Sequence, residues 1–197
     1  MKAAVLLLVW TLYASFSMRY MVNKATLSCS ADRTNLNYLL SCSGMTANFF
    51  AMSPGIGIMA PDFAETDSSG RFIQLSSYSC KYVLLNFWAS WCAPFRRANE
   101  NLLKVYSDFH LKGLEILRVS IDKPSGQNNW IKAINDDGLI WAQVKNFKCW
   151  ENDVAILYGV KSFTSNFLID PSWKIVAKNL KGNDLYSQIH EIYGNHK

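Results

Sequence analysis

Val83 to Arg97 reads VLLNFWASWCAPFRR, and the rest of the chain can be placed around it. Val83–Phe87 is a short apolar run moving from β-branched to aromatic residues, the composition of a buried central strand. Ala89–Ala93 follows as a turn. Pro94 suits a first helical position, since its missing N–H would have had no intrahelical partner there. Cys92 therefore falls at or just before a helix N-terminus. Unpaired backbone N–H groups and the positive end of the helix dipole favour a thiolate at such a place. The alternative reading is a buried, inert cysteine.

The 197 residues, half of them hydrophobic, are enough for one full core. Net charge is +5, divided unevenly: residues 1–53 hold four Lys/Arg against one acid, and residues 54–197 hold sixteen against fourteen. So nearly balanced a domain carries no electrostatic footprint for nucleic acid, and no nucleic-acid partner is expected. Cys29, Cys42, Cys80, Cys92 and Cys149 are odd in number, and none are spaced as a zinc pair. No metal or cofactor is expected.

Met1-Lys2 followed by the apolar run Ala3–Met18 has the pattern of a secretory signal or short membrane anchor over residues 1–18. Export is the expectation, to the periplasm or cell envelope, with membrane attachment through this segment if it stays uncleaved. Residues 19–53 show no sustained period and read as a spacer. Leu39-Leu40-Ser41-Cys42 is faintly like a lipoprotein box but lies far beyond the apolar run, so Cys29 and Cys42 read as incidental thiols.

Residues 54–197 form the expected domain. Ala60–Phe63 enters an extended segment, Asp67–Gly70 turns, and Phe72–Leu75 is a short strand. The helix after Cys92 should run to about Lys112, with Leu102, Leu103, Val105, Tyr106 and Phe109 inward and Gly113 stopping it. A strand Leu114–Ile121, a helix Gln127–Asp136 with Trp130, Ile131 and Ile134 inward, and a strand Trp141–Val144 come next. A loop Lys145–Asn152, a short helix to Tyr158, strands Asn166–Asp170 and Ile175–Lys178, and a helix Asn183–Tyr193 complete the chain. Alternating strands and helices closed by a hairpin and a helix describe a mixed sheet with helices on both faces, an α/β/α sandwich.

In this order APDF, YVLLNFWASWCAP, ILRVSIDK and YGVKSFTSNFLID, the chain resembles the TlpA-like redoxins, the AhpC/TSA-type thiol-disulfide oxidoreductases of the cell envelope. The likeness covers about residues 54–193. It implies a thioredoxin-like fold and disulfide exchange with protein thiols or a small external thiol. It also implies a Trp-Cys-x-x-Cys pair and a cis-proline loop that holds substrate. Trp91, Cys92 and Pro94 match the motif. Phe95 stands where the second cysteine belongs, Thr164, after Phe163, where the cis-proline belongs, and Glu100 where the first helix carries a kinking proline. Carried over, the substrate-holding positions are Trp91, Pro94, Phe163 and Thr164, with Cys92 as nucleophile.

The departures limit the chemistry. In dithiol exchange the first thiolate forms a mixed disulfide and the second thiol resolves it, a step Phe95 cannot perform. Cys149 is the speculative internal resolving thiol, because its loop should emerge at the same strand ends as Cys92; Cys80 should lie at the opposite end. The peptide before Thr164 is expected to be trans, since cis costs about 2.5–4 kcal/mol before a non-proline residue. A peroxidase of the Thr-x-x-Cys type is disfavoured, because Ala89 supplies no hydroxyl. Arg96 and Arg97 are expected to face solvent, and Trp88 and Trp91 to divide into one core and one rim residue. Asn86 is neutral and cannot serve as a buried acid-base carboxylate. Two readings follow: single-cysteine exchange at Cys92, or a non-catalytic binding module using Trp91 and Phe95 as an apolar patch.

Overall fold

A computed structural model describes residues 53–161 and 165–194. The elements are β1 (Ala64–Thr66), β2 (Phe72–Gln74), β3 (Tyr82–Trp88), α1 (Ala93–Phe109), β4 (Leu114–Ser120), α2 (Gln127–Asp136), β5 (Ala142–Lys145), α3 (Asp153–Leu157), β6 (Asn166–Ile169), β7 (Ile175–Lys178) and α4 (Gly182–Gly194). All seven strands join one sheet in the order β2-β1-β5-β4-β3-β6-β7, parallel across β5-β4-β3 and antiparallel elsewhere. This is the mixed thioredoxin-like sheet expected from the sequence. The expected first helix stops earlier: α1 ends at Phe109, and a single 3-10 turn, His110–Lys112, leads to left-handed Gly113.

Side chains alternate across β3 as a pleated strand requires. Val83, Leu85 and Phe87 enter one half of the core with Val154, Ala155 and Tyr158. Leu84 and Trp88 enter the other, beneath α1, α2 and α4. Helices thus cover both faces unequally, α3 being the short one on its side. Phe95, Asn99, Leu102, Tyr106 and Phe109 recur at helical spacing and are the buried stripe of α1.

Paired register brings Asn166, Asn86, Arg118 and Gln143 side by side across β6, β3, β4 and β5, all buried. A row of four polar residues through the centre of a sheet must find hydrogen-bond partners or cost stability. Asn166 exchanges two bonds with the Leu180 backbone. Arg118 donates from Nε to Asn86 Oδ1 at 2.9 Å and from a terminal nitrogen to Asn99 Oδ1 at 2.7 Å, and its guanidinium lies 4.2 Å from the Trp88 ring centroid. Burial pulls its pKa down to about 9, which leaves it charged at neutral pH.

Ser53–Ala60 runs antiparallel along the outer edge of β7. Gly57 N donates to Ile175 O at 2.7 Å, Ile175 N to Ile58 O at 3.0 Å and Ala60 N to Trp173 O at 2.8 Å. Lys178 Nζ holds Ser53 Oγ and the Pro54 carbonyl. Gly159, at φ +59°, makes room for this start, because a Cβ there would lie 2.6 Å from Ser53 N.

Candidate functional site

Cys92 is the N-cap of α1, with extended backbone (φ −93°, ψ 103°) and proline in the first turn. Its carbonyl accepts from Phe95 N at 3.0 Å and Arg96 N at 3.2 Å, and its own N–H donates to Ala89 O at 3.2 Å. No side chain caps the helix, so its N-terminal amides open towards the thiol. Cys92 is half-buried, touches both halves of the core and is a free thiol. The sequence placed this residue, and the strand that carries it, correctly.

The turn before it is held by the residue that follows the expected strand Leu114–Ile121. Asp122 is completely buried. Its carboxylate accepts from Ser90 N at 3.1 and 3.2 Å, from Ser90 Oγ at 2.6 Å and from Ser120 Oγ at 2.8 Å. Four donor contacts offset the desolvation of one carboxylate and lock the Ser90–Trp91 turn to the end of β4. The Asp122 carbonyl in turn accepts from Cys149 N at 3.3 Å. Asp122 therefore ties the Cys92 turn and the Cys149 turn to one strand end, the shared face expected of these cysteines. Cys149 is half-buried and a free thiol.

Asn152 secures the far side of the Cys149 turn. It is fully buried, its Oδ1 accepts from Val154 N and Ala155 N to cap α3, and its Nδ2 donates to Ser120 O. Asn152→Ala removes a cap and leaves buried groups unpaired, so a loss of about 2–3 kcal/mol in urea unfolding is expected. Asn152→Ser, which keeps a cap acceptor, should recover about half of it.

Several expectations need correction. Phe95 is buried, 4% exposed, because it is the first residue of the α1 stripe, so it is not part of an exposed patch; Trp91, at 57%, is exposed. The division of Trp88 and Trp91 into core and rim holds. Arg97 is exposed, but Arg96 turns back onto the C-terminal end of α2, where it pairs with Asp137 through two nitrogens and approaches Asp136 at 3.7 Å. Asn99 Nδ2 completes this cluster on Asp137 at 2.6 Å. Cys80 precedes β3, at the opposite end from Cys92. Glu100 is exposed in a continuous α1.

Pro94 is exposed in the first turn beside Cys92. Phe163 and Thr164, with the expected trans peptide between them, lie outside the described residues, as do Cys29, Cys42 and the apolar run 3–18. Ser165 returns beside the end of β3, its carbonyl accepting from Phe87 N. Among the described residues no group of three His, Cys, Asp or Glu could hold a metal ion, and no helix is long and apolar enough to cross a membrane.

A half-exposed thiol at a helix mouth, at the end of a central parallel strand, is arranged for nucleophilic sulfur chemistry. The family model described as AhpC/TSA matches residues 56–178. The thiol-disulfide oxidoreductase ResA of Geobacillus thermodenitrificans is 35% identical over 161 residues, covering 78% of this chain and 90% of that one. The thioredoxin domain of a thiol-disulfide oxidoreductase from Bacteroides vulgatus superposes with a TM-score of 0.66 at 37% identity, covering 72% of this chain and 99% of that one. A thiol:disulfide interchange protein from Bacteroides sp. gives the same TM-score and identity, with 74% and 95% covered.

Proposed function

The chain belongs to the AhpC/TSA family, with the thioredoxin fold of its thiol-disulfide oxidoreductases, and from this premise we propose that it exchanges disulfides through one cysteine, Cys92. The observation that carries the reading is the pairing of a half-exposed Cys92 at the α1 N-cap with a buried phenylalanine where a resolving thiol would stand. Cys92 attacks one sulfur of a substrate disulfide. The substrate S–S bond breaks, a Cys92–substrate disulfide forms, and the released thiolate takes a proton from solvent. A second thiol, from outside or from Cys149, then attacks that mixed disulfide and frees Cys92. The substrate is a protein disulfide or a small disulfide. The apolar start of the chain, residues 1–18, supports export to the cell envelope, with the domain tethered there if the segment is retained.

The test is alkylation and trapping. Iodoacetamide at pH 7 should label Cys92 ahead of Cys80, although Cys80 is the more exposed. Mixed disulfides with partner proteins, captured from cells with acid quenching, should disappear in Cys92→Ser. Protein adducts that persist in that variant would overturn the proposal. For Cys149 as the internal partner, a non-reducing digest of oxidised protein should contain a peptide linking it to Cys92, and absence of that peptide removes it.

Exposed Trp91 beside an open cavity favours a second reading, a non-catalytic binding module. It requires that Cys92→Ser leave the cellular role intact while Trp91→Ala abolishes it; the exchange reading requires the reverse order of severity.

A further inference from the structure

The cavity that opens beside the Cys92 turn is not accounted for by exchange at Cys92. It has a volume of about 560 Å³, and Cys92 does not line it. Its walls come from three separate pieces: Ser90 and Trp91, the Asp122–Asn129 segment, and Cys149 with Trp150. That volume lies within the roughly 300–1,000 Å³ of small-molecule sites, and a few polar groups among aromatic walls are the usual make-up of one.

Of the wall residues that are exposed, one is a cation and none is an acid. Lys123 is exposed and has no carboxylate partner among the ion pairs of the described residues. Ser125 and the Asn129 amide add hydrogen-bonding groups. α2 starts at the cavity wall with Gly126 as N-cap, no side-chain cap and no acid in its first turn. The one acid in the wall, Asp122, has its oxygens engaged by Ser90 and Ser120. The cavity thus offers a cation and donors for carboxylates, aromatic faces for an aliphatic stem, and one nucleophile, the Cys149 thiol.

We propose that this cavity seats a carboxylate-bearing low-molecular-weight thiol, taken up as its disulfide, and that the ligand becomes attached through Cys149. The Cys149 thiolate attacks one sulfur of the small disulfide. The small disulfide's S–S bond breaks, the Cys149–S–S–ligand bond forms, and the departing thiolate is protonated by solvent; the protein thiol is oxidised and the small disulfide reduced. The modification is independent of Cys92, and the test is made in a Cys92→Ser chain so that failure of one reading is not failure of the other.

The purified Cys92→Ser chain is incubated with oxidised glutathione, a polycarboxylate disulfide, or with cystamine, a cationic one, and digests are followed by mass spectrometry. With oxidised glutathione, Cys149 should acquire one glutathionyl group about fivefold or more faster than exposed Cys80. Lys123→Glu should slow that reaction about three- to tenfold and leave or raise the rate with cystamine. Cys149→Gly serves as the folded control, because Cys149 sits at φ +55°, where glycine is unstrained. It should melt no lower than its parent and show no adduct in this segment. Modification of Cys80 ahead of Cys149, or equal rates for the two disulfides with no effect of Lys123→Glu, would overturn the proposal.

Discussion

Phe95→Cys is expected to raise the rate of catalytic disulfide reduction, measured with dithiothreitol as terminal reductant, by about two to three orders of magnitude. Residue 95 lies three positions on from Cys92, which gives the Cys-x-x-Cys spacing across a helix N-cap at which a dithiol closes to a disulfide. The mixed disulfide at Cys92 would then be resolved within the molecule instead of awaiting a dilute external thiol. The gain is coupled to a loss of stability. Phe95 is packed into the core beneath α1 with Trp88 and Leu102, and replacing a buried ring with a small side chain costs about 2–4 kcal/mol. In a domain of this size that lowers the melting temperature by roughly 5–15 °C. Phe95→Ser separates the two effects: similar destabilisation, no gain in turnover. If the Phe95→Cys variant closes a disulfide between its new thiol and Cys92 and still turns over no faster than the parent, resolution is not the missing step. The limitation would then lie in substrate docking.

The same residue shows how far the sequence could be read. VLLNFW alternates into two half-cores, and the punctuation around Cys92 and Pro94 fixes a helix mouth, so the fold and the nucleophile follow from local pattern. Burial of Phe95 was also written in the chain, because it begins the 95, 99, 102, 106, 109 periodicity of α1. Reading it as the vacant place of a cysteine directed attention to the site face instead of the stripe. Asp122, Asn152 and Cys149 are different. They meet through a left-handed Cys149 backbone and a buried asparagine cap, and no periodicity announces contacts between a strand end and a turn 27 residues later. Arg118 gave a signal, a charged residue inside the apolar strand LEILRVS. Its partners could not be read, because Asn86, Asn99 and Asp137 come from three other elements that only the folded sheet brings together.

That polar cluster carries the second large effect. Asp137→Ala is expected to destabilise the domain by about 3–5 kcal/mol in urea unfolding, several times the cost of an ordinary surface substitution. Asp137 binds Arg96 through two nitrogens and Asn99 Nδ2, and Asn99 Oδ1 in turn receives the buried Arg118. Removing the carboxylate leaves Arg96 with only Asp136 at 3.7 Å, takes from the buried Arg118 the negative charge that favours it, and frees Asn99 Nδ2, on the residue that links α1 to β4. Arg118→Met combined with Asn99→Leu and Asn86→Leu should restore part of the loss in the Asp137→Ala background, because buried charge and unpaired amides are then removed together. The acid limb of the stability curve provides an independent check. The Arg96 hydrogen bonds, ahead of the Asn99 bond and the Arg118 charge, hold the Asp137 carboxyl below its ordinary range. A carboxyl lowered by folding contributes fully above its unfolded pKa of about 3.9, and that contribution is lost as pH falls through the folded value. Asp67, held low first by Ser69 and then by Arg71, acts in the same direction. Asp137→Asn should therefore flatten the dependence of stability on pH between about 5 and 2 without abolishing it. The cluster joins the first turns of α1 to the end of α2. Loss of Asp137 should therefore also loosen the helix that carries Cys92, seen as faster amide exchange over residues 96–99 than over β3.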